Sequence, residues 1–80
     1  MSANVFSMVR NGYDPAFVLM RLDEMNSLLY AVKSGTTVKD FAVAEAERLM
    51  AEPIPTARQG FSIADVDSYL EQMMGELRNL

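Results

Sequence analysis

The chain contains no cysteine and no histidine. Without thiols it has neither a disulfide framework nor a thiolate zinc site. Without imidazole it lacks the commonest metal ligand and the commonest general base. Its 80 residues make one domain. A domain this small buries only about 60–65% of the surface its unfolded chain exposes, so close helix packing or association must supply stability.

Positive charge is scarce. Seven Lys and Arg face eleven Asp and Glu, for a net charge of −4 and a pI near 4.5. The cations are scattered over positions 10, 21, 33, 39, 48, 58 and 78 and form no basic run. Such a chain is repelled by phosphates, which argues against nucleic acid as a partner. The C-terminal segment 62–80 makes the point for a helix-turn-helix reading: it sets Asp65, Asp67, Glu71 and Glu76 against Arg78 alone. Long apolar runs are missing too. The longest, Ala16–Met20, is far below the ~20 residues of a membrane span. The opening MSANVFSMVRNG lacks the basic start and apolar stretch of a secretion signal, so the cytoplasm is the expected location.

Glycine is sparse and isolated, at 12, 35, 60 and 75, which rules out a phosphate-cradling loop. Asp65 and Asp67 lie two apart, and Asp23 and Glu24 are adjacent, so on helices neither pair converges as a catalytic dyad. Glu45 with Lys39 or Arg48 reads as solvated helix surface. No catalytic residue, metal site or cofactor is expected, and the chain reads as a non-enzyme.

What the sequence does contain is one passage written twice. VRNGYDPAFVLMRLDEM at 9–25 aligns without a gap on ARQGFSIADVDSYLEQM at 57–73, at an offset of 48. Arg10 falls over Arg58, Gly12 over Gly60, Tyr13 over Phe61, Val18 over Val66, Leu22 over Leu70 and Met25 over Met73. The two copies span about 6–32 and 54–80.

Each copy reads as a turn leading into a helix. Gly12 and Gly60 sit where the turn needs positive φ or a close backbone approach. Asp14 and Pro15 read as N-cap and first helical residue, with the helix running to about Lys33 and stopping at Ser34-Gly35. Ser62 caps the last helix, which continues to the C-terminus. The ring of Tyr13 or Phe61 is placed to fold over the first turn as a hydrophobic staple. Between the copies, Thr37 and Asp40 have capping-box spacing for a helix over about 37–51, ended by Pro53-Ile54-Pro55.

The apolar stripes of the outer helices match position by position: Val18, Leu22, Met25, Leu29, Val32 and Val66, Leu70, Met73, Leu77, Leu80. The spacing leaves two arrangements open. The stripes either face each other within one chain, or at least one meets another chain. The first helix also carries Phe17, Leu19, Met20 and Leu28 off its stripe, and predicts burial on two sides. Leu19, Met20, Leu28 and Met74, all off the shared stripes, are the candidate interface residues.

The run Gly12-Tyr13-Asp14-Pro15, and Gly60-Phe61 followed by Val66-Asp67 and Tyr69-Leu70, is similar to the DivIVA domain. That family's pattern is roughly Phe, five residues, Gly-Tyr-Asp, then Glu-Val-Asp, an aromatic one residue later and Leu. Phe6 and Ile54 stand at the Phe position of the two copies. The first copy reads Phe17-Val18-Leu19 in place of Glu-Val-Asp, and the second reads Phe61-Ser62 in place of Tyr-Asp.

The resemblance implies a bacterial cytoplasmic protein of cell division, polar growth or envelope organisation that self-associates through helices. It also implies membrane contact through a basic residue and an exposed aromatic before the glycine. Arg10 and Arg58 supply the basic residue, but neither copy has the aromatic, which argues against that contact; Phe6 and Met8 are expected to pack on the first helix. The expectation is therefore an all-α, three-helix interaction module, homo-oligomeric and dimeric by preference. The alternative is a small adaptor or antitoxin-like protein that offers an apolar helix face to a different protein.

Overall fold

The computed structural model describes residues 6–80. Their order is β1 (Met8–Arg10), α1 (Pro15–Lys33), α2 (Lys39–Ala51), β2 (Gln59–Phe61) and α3 (Ile63–Arg78). The fold is mostly helical, with three helices as expected, and a short antiparallel strand pair is added where only turns were foreseen.

The helix boundaries follow local chemistry. The Asp14 side chain accepts the Ala16 N–H at 2.9 Å, and Pro15 occupies the first turn, where its missing N–H costs nothing. Gly35, at φ 80°, ends α1: its N–H reaches the Val32 carbonyl while Thr36 N–H reaches that of Ala31, the paired bonds of a Schellman turn. Ser62 accepts the Asp65 N–H at 3.3 Å and starts α3. The capping box expected from Thr37 and Asp40 does not form. Val38 is the N-cap of α2 and offers no side-chain acceptor. Asp40 instead lies in the first turn, where its charge favours the positive helix end.

Val18, Met25, Leu29, Val66, Leu70, Met73 and Leu77 form the core together with Ala42, Ala46 and Leu49 of α2. Leu22 and Val32 are half-buried against it, and only Leu80 of the two stripes is exposed. The stripes are thus used inside one chain. The small Ala42 and Ala46 let α2 approach α1 and α3 closely, so one helix seals one side of the outer pair.

The end from which α1 and α3 start is held by main chain. Met8 pairs with Phe61, Val9 with Gly60 and Arg10 with Gln59. The ladder is extended by Ser62 N–H to the Ser7 carbonyl and Asn11 N–H to that of Arg58. The chain then turns at Asn11, in the left-handed region at φ 58°, and returns on the other side of Phe61. Tyr13 and Phe61 exchange both N–H···O bonds at 2.9 Å. Asp14 N–H also bonds the Pro55 carbonyl, and Ala57 N–H that of Gly12. The segment before α1 therefore wraps around the segment before α3.

Candidate functional site

The glycines explain how two backbones cross so tightly. A Cβ on Gly12 would stand on the Phe61 carbonyl oxygen and 2.7 Å from the Gly60 carbonyl carbon. A Cβ on Gly60 would stand on the Tyr13 carbonyl oxygen and 2.6 Å from that of Gly12. Of the two reasons the sequence allowed, close approach is the operative one. Positive φ falls on Asn11 and Gly35 instead.

The aromatic residues that follow lie differently. Tyr13 donates its hydroxyl to Asp67 Oδ1 at 2.8 Å, linking the turn before α1 to the first turns of α3. Burial, with help from the Asp67 carboxylate, raises the Tyr13 hydroxyl above its ordinary pKa. Phe61 has no hydroxyl to satisfy, and the residue 48 positions before Asp67 is Leu19, which offers no acceptor. Tyrosine goes with an acid on one side, phenylalanine with leucine on the other. Val66, one residue before Asp67, is fully buried.

Phe6 packs at 5.3 Å from the Phe61 ring and edge-on to Tyr69 at 5.6 Å. This corrects the expectation that Phe6 and Met8 cover α1: Phe6 lies on the α3 side, and Met8 is exposed.

Two of the four candidate interface residues face inward. Met74, expected as a contact residue for a partner, is a correction: it is buried in this chain's core, beside Met50 and Ala51 of α2. Leu28 is half-buried against the same core. At the positions offset by 48 stand Asn26 for Met74 and Glu76 for Leu28, and both are exposed. The apolar member lies on the covered side and the polar member meets water. These two off-stripe residues are thus used within this chain.

Leu19 and Met20 do stay outside, at 55% and 59% exposure, with Phe17 at 48%. Positions three and four apart adjoin on a helix, so Phe17, Leu19 and Met20 with Ala16 make one apolar patch over the first turns of α1. Asp23 and Glu24 border it on the next turn, both exposed. On α2, Arg48 bonds Glu45 at 2.8 Å and Glu52 at 3.3 Å. The Arg48 bond holds the Glu45 carboxyl below its usual range.

Arg21, on the opposite side of this turn, is almost fully buried and donates from Nη2 to the Glu52 carbonyl at 2.8 Å, capping the end of α2. Sequence reading gave Arg21 no role. A lone Arg inside an apolar stretch is the signal that marks it.

At the crossed end, Arg10 and Arg58 flank a recess of about 400 Å³ with Asn11 and Gln59. Neither guanidinium has an ion pair among the described residues, whereas Lys33, Arg48 and Arg78 are each matched to a carboxylate. Among the described residues no three carboxylates gather as a metal site, and no helix is long and apolar enough to cross a membrane. Compared with known protein families, with curated proteins and with solved structures, the chain matches none.

Proposed function

We propose that this chain is a protein-interaction module of DivIVA-like build, without catalytic activity, in which two copies of one Gly-aromatic lead-in pair with each other inside a single polypeptide. The internal repeat is supported by reciprocity. Tyr13 and Phe61 exchange main-chain bonds, and Gly12 and Gly60 each abut the carbonyl that follows the other. The bridge Tyr13 to Thr56 becomes Phe61 to Met8 when both positions shift by 48. Such self-complementarity is the mark of an isologous contact, here made within one chain. The resemblance suggests bacterial cell division or envelope organisation as the setting of that interaction.

One observation carries the interaction reading. The buried stripe of α1 is already filled by α2 and α3, yet Phe17, Leu19 and Met20 remain in water on its outer side. A contiguous apolar patch retained beside a complete core is the signature of a contact surface. With the stripes used internally, the adaptor-like form of the reading is favoured, its partner being another protein.

The test is capture from the native cytoplasm with the wild-type chain and with Met20→Glu. A partner retained by the first and lost by the second is expected; equal recovery by both overturns the reading. Self-association through the same patch is the second reading, favoured by its apolar character. A molar mass that doubles between two concentrations about tenfold apart, and that Met20→Glu returns to monomer, would select it.

A further inference from the structure

We infer that the outer patch of α1 receives a cationic amphipathic helix, one that carries Lys or Arg on the flanks of an apolar stripe. The inference rests on reading that patch as an interaction site and adds the chemistry of its occupant. The patch is built of Phe17, Leu19 and Met20, bordered on the next turn of α1 by the exposed Asp23 and Glu24. Asp23 and Glu24 have no ion pair among the described residues, and on α2 the guanidinium of Arg48 is shared by Glu45 and Glu52.

Among the described residues, both cations of α1 are already engaged. Arg21 is turned inward to the Glu52 carbonyl, and Lys33, at the far end of α1, faces Glu76. A second copy laid on the patch would add its own Asp23 and Glu24, gathering like charges within about a Debye length around one apolar contact. An occupant that brings positive flanks removes that repulsion and gains attraction from the same carboxylates, which steers its approach as well as holding it. The apolar area supplies affinity, and the acid rim selects the partner.

The experiment uses the full chain and two synthetic helical peptides of about five turns, identical in their Leu stripe and flanked by either Lys or Glu. Binding is followed by calorimetry at about 50 mM and about 300 mM salt. The Lys-flanked peptide is expected to bind at least about tenfold tighter, with the advantage shrinking at the higher salt. Asp23→Lys combined with Glu24→Lys should reverse the preference, and Met20→Glu should abolish binding of both peptides with the thermal midpoint unchanged. Equal affinity for the two peptides that Met20→Glu still abolishes overturns the charge argument and leaves the interaction site standing. A homodimer that Met20→Glu dissolves, with neither peptide bound, likewise overturns this inference alone. Neither peptide bound, no dimer and no captured partner overturn the interaction reading together with it.

Discussion

The Tyr13 hydroxyl lies 2.8 Å from Asp67 Oδ1 and ties the turn before α1 to the helix that follows the other turn. Removing either partner should loosen the crossed end without emptying the core. In a double-mutant cycle of Tyr13→Phe and Asp67→Ala, a coupling of about 0.5–1.5 kcal/mol is expected from denaturant melts. Additive single effects would show that the bond contributes nothing.

The same pair gives an alkaline signature. Burial and Asp67 raise the Tyr13 pKa above its unfolded value of 10.0, so the native state holds the phenolic proton more tightly. This contribution is complete below pH 10.0 and is lost as the pH rises through the higher folded value. Between about pH 9 and 11 the wild-type chain should therefore lose stability more steeply than Tyr13→Phe. Parallel curves in pH-dependent urea melts would contradict the assignment.

Gly12→Ala and Gly60→Ala should each cost more than about 2 kcal/mol, because a Cβ at either position meets main chain that cannot move aside. Gly35→Ala is a contrasting case. Its Cβ would enter open space, and only the left-handed backbone, at φ 80°, resists it, at about 1–2 kcal/mol. Thermal melts that rank Gly35→Ala as the worst of the three would reverse the argument.

Arg21→Met keeps the packing of a long side chain but removes the charge-assisted bond to the Glu52 carbonyl. A loss of about 1.5–3 kcal/mol is expected. Hydrogen exchange should show it as fraying of the last turn of α2. Arg21→Lys should restore only part, since an ammonium lacks the planar fork of donors.

Met74→Glu and Met20→Glu separate the two kinds of off-stripe residue. The first places a carboxylate in the core and should unfold the chain or cost about 3 kcal/mol or more. The second lies in water and should change stability by no more than about 0.5 kcal/mol. Circular dichroism melts of the two variants decide the matter directly.

Much of this architecture is written in local chemistry. Asp14 with Pro15, Ser62, and Ser34 with Gly35 mark the ends of α1 and α3 because caps and stops act within one turn of chain. The matched stripes are legible for the same reason: their spacing follows from 3.6 residues per turn. The failed box at Thr37 and Asp40 shows the limit. Thr36 and Thr37 both give their N–H groups to the Ala31 carbonyl, so the turn that closes α1 claims Thr37 and leaves Val38 to begin α2.

The sequence by itself determined three helices, two glycine-aromatic turns and the matched stripes that supply most of the core, since each depends on neighbours a few positions away. Only the tertiary structure decided which apolar residues outside the stripes are buried. Met74 and Leu28 lie inside, while Leu19 and Met20 lie outside, because α2 packs against one side of the α1–α3 pair and leaves the other in water. Helical periodicity is identical for both sides, and one helix can cover only one of them.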